Sequence, residues 1–192
     1  MMLRELLLRT RSCRRFEQVP LDEATLVELL ELVRLCPSAA NRQPLKFVLA
    51  WRPDQLARIF PHLRWAAALA PWPGPGEGER PTGYVVILGD INISRRCEWD
   101  AAIAAQAILL GAAERELGGC MIASIDHAGL RSALGLPEHL AVLLVVALGR
   151  PGERVVLEEG RPEPRPYWRD DHDVHHVPKR ALSELRWTVP EF

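Results

Sequence analysis

Apolar positions along the chain follow two different periods. Leu26, Leu29, Leu30 and Val33 recur at the 3, 4, 7 spacing of a buried helical face, and Asp22 stands where an N-cap would. The spacing predicts a helix that stops before Pro37, because the residue preceding a proline avoids helical backbone. Leu3 to Leu8 predicts a shorter helix at the start. Four short apolar runs predict buried strands: Leu45 to Trp51, Tyr84 to Gly89, Cys120 to Ile125 and Leu140 to Leu148. The longest helix is predicted from Ser94 to Glu116, ending at Gly118 and Gly119. Its middle, Ala101 to Ala113, is apolar nearly all round, and a helix without a wet face must be covered on every side. In a chain this small the expected cover is a second copy, which the many alanines would let approach closely. Further short helices are predicted at Pro53 to Phe60, from Asp126 through Leu134, and at Leu182 to Trp187, with a turn at Trp65 to Leu69. Trp72 to Pro81 holds too many prolines and glycines for helix or central strand and predicts a loop. After Arg150 periodicity is lost, with prolines at 151, 162, 164 and 166, and residues 151–192 predict an extended arm.

Composition narrows the partners. The chain has 192 residues, 48% of them hydrophobic, enough for one domain over 1–192 with a sizeable core. Lysine and arginine number 24 against 25 acids, so no overall basic field draws the protein to nucleic acid or to a membrane surface. The four cysteines, Cys13, Cys36, Cys97 and Cys120, form no C-x-x-C pair and suggest neither a zinc site nor a disulfide framework, which fits a reducing cytoplasm. The apolar start contains Glu5 and lacks a small-residue cleavage site, so it reads as a helix and not a signal peptide. No apolar run approaches the roughly 20 residues of a membrane span.

Candidate chemistry lies in two stretches. Arg9, Arg11, Arg14 and Arg15 crowd around Ser12 with no acid before Glu17, and guanidinium forks match phosphate oxygens two at a time. A solvated basic turn is the plainer reading of that run taken alone. Pro37, Ser38, Ala39, Ala40, Asn41, Arg42, Gln43 and Pro44 form a small-residue turn in front of a strand. Small side chains let backbone approach a flat ligand, and the Asn41 and Gln43 amides both donate and accept. The glycines in G-P-G-E-G follow no strand and open no helix, so they are not a dinucleotide fingerprint. Trp65 and Trp72, at the base of that loop, either shape a pocket or pack beneath it. His172, Asp173, His175 and His176 show no established metal-ligand spacing, so no metal is expected. No serine sits in a G-x-S-x-G setting, and no persuasive pairing of nucleophile and base is present.

Taken together, Arg11-Ser12-x-Arg14-x-Phe16 and Pro37-Ser38-Ala39-x-Asn41-x-Gln43-Pro44 resemble the nitroreductase family of FMN-dependent oxidoreductases, and Tyr167 to Arg180 resembles the tail of one branch of it. The resemblance implies an α+β fold, a mostly antiparallel sheet flanked by helices, in an intertwined homodimer whose arm wraps the partner. It implies FMN held by Arg11, Ser12, Cys13, Arg14, Pro37, Ser38, Ala39, Asn41 and Gln43, with Ala123 and Ser124 backbone at the flavin N5 edge and Lys179 and Arg180 returning to the phosphate. Arg14 would stabilise charge near flavin N1, with no other catalytic side chain needed. The implied activity is hydride transfer from NAD(P)H through the flavin to a nitroaromatic or quinone, the alternative being a flavin-binding sensor or carrier. Relatives often carry arginine where Thr10 stands, which leaves Arg9 or the tail to supply that charge.

Overall fold

The computed structural model describes residues 2–69, 71–159 and 166–189. The main sheet is antiparallel throughout. Its path runs β4 (Gly118–Ile122), β5 (Leu140–Pro151), β3 (Gly83–Asp90), β2 (Leu45–Ala50), and the two-residue β1 (Phe16–Glu17) pairs with the end of β5 beyond β4. Period-two alternation on β3 feeds two cores. Tyr84, Val86 and Leu88 enter one with Ile59, Trp65 and Leu130, while Val85 and Ile87 enter the other with Leu26, Leu29 and Ile108. Helices α3 (Pro53–Ile59) and α5 (His127–Leu134) supply the first layer; α2 (Glu23–Arg34) and α4 (Glu98–Glu114) supply the second. A register shift at Ile87/Leu88 bulges β5, so Leu143 and Leu144 both join the α2–α4 side before alternation resumes at Val145. The short α1 (Leu3–Arg9) buries none of its residues.

Several elements depart from their predicted bounds for identifiable reasons. The predicted helix from Ser94 begins at Glu98, because Ser94 to Cys97 close a turn in which Cys97 Sγ donates to the Ser94 carbonyl at 2.9 Å. The third strand starts at Gly118 and ends at Ile122, so Gly118 and Gly119 belong to the strand. A Cβ on Gly119 would collide with the Ala147 carbonyl of β5, so glycine marks a close strand approach there. The part of the predicted arm that is described is not simply extended. β6 (Val155–Glu158), β7 (Trp168–Arg169) and β8 (His175–Pro178) form a separate three-stranded sheet in which β6 and β8 run parallel. Residues 160–165, which carry Pro162 and Pro164, and residues 190–192 lie outside the described residues. The last helix, α6, spans only Leu182–Leu185.

Helix α4 lies against α2 and the sheet, yet Trp99, Ala102 and Ile103 face outward, Trp99 at 79% exposure. No described helix is long and apolar enough to cross a membrane. Replacing Gly119 by alanine is expected to lower stability by about 1–3 kcal/mol in urea denaturation, whereas Gly78→Ala, with open space around the new Cβ, should change it by less than about 0.5 kcal/mol.

Candidate functional site

The arginine stretch runs extended alongside β4, bridged in parallel at Ser12 and Gly119, with the Cys13 N–H donating to the Gly119 carbonyl at 3.0 Å. Extended backbone sends successive side chains to opposite sides, and this stretch divides accordingly. Arg11 and Cys13 line one cavity with Glu116 and Glu153, while Arg14 lines another with Ala123 and Ser124. Arg11 donates to the Leu7 carbonyl at the end of α1, and burial lowers its pKa. Cys13 is buried in the core, and burial pushes its thiol up to about 12, so it acts as packing. Arg14 donates to the Ser12 carbonyl at 3.4 Å, and its guanidinium carbon lies 4.6 Å from the Tyr167 ring centroid. Among the described residues no carboxylate stands within ion-pair distance of that guanidinium.

Strand β4 ends at Ile122, and the chain turns out along the Arg14 cavity. The Ser124 carbonyl accepts from the Arg64 N–H at 2.9 Å, and Leu63 bridges Ile125. Among the described residues no backbone acceptor takes the Ala123 or Ser124 amide. Trp65, buried with its indole nitrogen unpartnered, forms another wall. Gly74, at φ 112°, lies so close to that indole that a Cβ would overlap it. The cavity measures about 190 Å³, below the roughly 300–1,000 Å³ of small-molecule pockets.

The turn at 37–44 lies elsewhere. Asp100, nearly buried in the first turn of α4, accepts from the Ser38 hydroxyl at 3.3 Å and the Ala39 N–H at 3.2 Å, and Ser38 Oγ accepts the Gln43 N–H at 3.0 Å. These bonds hold Ala40, Asn41 and Gln43 at φ 52°, 52° and 50°. Such conformations cost non-glycine residues on the order of 1–3 kcal/mol each and concentrate at functional sites. Pro37, Ser38 and Gln43 border a groove of about 400 Å³ between α2, β2 and α4. The turn enters β2, three strands from β4, roughly 14 Å across the sheet. One chain therefore brings Arg14, Ala123 and Ser124 together and leaves Pro37, Ser38, Ala39, Asn41 and Gln43 apart from them. Lys179 and Arg180 do not line the Arg14 cavity either; Arg180 pairs with Glu184 at 2.9 Å.

The profile of the Nitroreductase family matches residues 7–150, three-quarters of the chain. The chain belongs to the nitroreductase family. The 5,6-dimethylbenzimidazole synthase of Rhodospirillum rubrum is 25% identical over 172 residues, 78% of this chain and 82% of that protein. A 53-residue stretch is 38% identical to a Streptomyces coelicolor protein, covering 28% of this chain and 26% of that relative's length. An FMN-dependent nitroreductase of Clostridium difficile superposes with a TM-score of 0.66 at 21% identity, covering 97% of this chain and 98% of that one. The nitroreductase fold is thus shared over most of the chain.

Within this nitroreductase-family chain, the residue that joins the tail to the arginine stretch is one no sequence motif marks. Glu153 accepts the backbone N–H groups of Arg14 and of Arg15, the latter at 3.2 Å, and receives Arg169 at 2.7 Å with its carboxylate 2% exposed. Fully buried His175 stands 3.7 Å away, and the Tyr167 ring packs on it at 5.2 Å between centroids. Burial alone would raise the Glu153 carboxyl, but His175, the Arg14 N–H and Arg169 outweigh it and hold the group at about 2, against an ordinary 4.5. Arg15 reaches Asp173 and Glu79, and Arg169 lies over the Trp72 ring at 4.5 Å. Trp72 packs beneath the tail in consequence. His176 is held between Glu158 at 2.8 Å and Asp170 at 3.0 Å, and its hydrogen bond to Asp170 raises its pKa.

A carboxyl held low in the folded state stabilises the fold above its unfolded pKa, and that contribution is lost as pH falls from 4.5 towards about 2. It amounts to about 3 kcal/mol at neutral pH. Glu153→Gln should lose stability of this order at pH 7 and flatten the acid limb of the stability profile in urea melts. Parallel acid limbs in the two proteins would contradict the assignment.

Proposed function

We propose that the chain is an FMN-dependent oxidoreductase whose cofactor site is completed by a second copy of itself. The observation that carries this reading is the Arg14 cavity, where, among the described residues, a guanidinium without a carboxylate partner shares the lining with two backbone amides that no backbone acceptor takes. Such donors suit the polar edge of a flavin, whose heteroatoms accept hydrogen bonds. The unpartnered indole of Trp65 and the undersized cavity agree with a site that expects a large flat ligand and another wall.

Arg14 would supply a fixed positive charge that favours the cofactor's electron-rich form, and Ser12 and the Ala123 and Ser124 amides would hold its polar edge. Alternation along the stretch also puts Thr10 on the side of Ser12 and Arg14, where relatives carry arginine. Arg11, which donates to the Leu7 carbonyl and lines the other cavity, is then a helper of the fold more than a phosphate ligand. When bound, FMN supplies two-electron chemistry, taking hydride from NAD(P)H and delivering it to an acceptor such as a nitroaromatic or quinone. The partner's 37–44 turn would form the missing wall, brought in by the outward stripe of α4, with Lys179 and Arg180 reaching the phosphate from the tail.

Purified protein is expected to take up FMN, seen as visible absorbance, and to consume NAD(P)H steadily when a quinone is added. A preparation that takes up no FMN contradicts the proposal. FMN uptake without turnover would mark a carrier or sensor. Arg14→Ala should weaken FMN binding about tenfold, the equivalent of one charge-assisted hydrogen bond, and more than Arg11→Ala does. The reverse order in titrations would exchange the two roles.

A further inference from the structure

We propose that the Arg14 cavity selects a flat aromatic electron acceptor bearing a negative charge, and that Arg64 is the residue that selects it. The inference rests on the flavin reading above and names the class of acceptor. Among the described residues the cavity is lined by two guanidiniums, Arg14 and Arg64, and by no acid. With Arg14 committed to the cofactor, Arg64 is the positive charge left over. Among the described residues its guanidinium donates only to the carbonyls of Pro61 at 3.2 Å and Leu63 at 3.4 Å, and no carboxylate lies within ion-pair distance. Asp126, whose carboxyl feels the charge of Arg64, is already engaged by His62 at 3.2 Å and the Gly129 N–H at 3.0 Å.

Arg64 is exposed, yet its backbone is fixed at the place where selection would matter. Its N–H bonds Ser124, on the same rim that carries the unaccepted amides. Beside it, the Trp65 indole is pinned against Gly74. Ala66 holds φ 36°, a left-handed strain that keeps the wall in place with a small side chain. Trp65 and Tyr167 offer aromatic surface, Ala66 and Ala67 leave room, and an unbalanced positive cavity concentrates anions. A carboxylate on an aromatic ring can meet a guanidinium fork two oxygens at a time.

The test uses FMN-loaded protein and inert probes. Dissociation constants for benzoate and benzamide are read from the change in flavin absorbance. Benzoate should bind, Arg64→Gln should weaken it about tenfold, Arg64→Lys should fall between, and benzamide should hardly change. In turnover, each nitro group takes a hydride from NAD(P)H and one proton from solvent, giving a nitroso compound, NAD(P)⁺ and water. There kcat/KM for para-nitrobenzoate should drop in Arg64→Gln while that for para-nitrobenzamide stays. Equal benzoate binding by wild type and Arg64→Gln overturns the inference, as does an equal loss for benzamide. A rise in the KM for NAD(P)H in place of the acceptor's also overturns it, by assigning Arg64 to the reductant's phosphates. Wild type that takes up no FMN at all instead sinks the flavin reading beneath it.

Discussion

Strand order β4–β5–β3–β2 puts two further strands between the two stretches that carry the chemistry. The arginine stretch is tied to β4 at one edge of the sheet, and the 37–44 turn opens β2 at the other. Antiparallel pairing fixes each strand against its neighbour, and both faces of β3 are buried in cores that resist a slip of register. The separation is therefore built into the fold, and no side-chain rotation closes it. The proposed second copy answers to that distance, and the outward Trp99 and Ile103 of α4 give it an apolar surface to meet.

Around the arginine stretch the structure uses charge for position. One buried carboxylate, Glu153, takes two consecutive backbone amides and an arginine from the tail sheet, and a carboxylate with several donors tolerates burial where a lone one would not. The path of residues 13–15 is thereby set, which fixes where the Arg14 side chain begins. Asp100 performs the same service for the other stretch, holding left-handed backbone at Ala40 and Asn41 from the first turn of α4. Both acids spend their charge on backbone geometry.

The main sheet and its helices were legible because their signals are local. Alternation and helical spacing predict β2, β3, β5, α2 and α5 nearly to their ends, and Asp22 and Asp126 cap as expected. What was not legible depends on contacts distant in sequence. Gly119 reads as a helix stop until the Ala147 carbonyl is seen against it. The tail sheet forms from strands of two to four residues, too short for a period to show, and β6 finds its partner β8 some twenty residues on. Of the candidate site residues, Arg14, Ala123 and Ser124 converge, and Arg11 turns away by simple alternation once the stretch is known to be extended. Glu153 and Arg64 carry no motif, because their roles come from what folds against them.

The central claim, that two chains share each cofactor site, is tested most directly by mixing defective chains. Arg14→Ala and Asn41→Ala proteins are each made, then unfolded and refolded together, and FMN bound per chain is measured. If the two stretches come from different chains, a mixed pair contains one intact site and binds more FMN than either variant alone. If both stretches serve the same site from one chain, every site in the mixture keeps a defect, and uptake never exceeds that of the better parent.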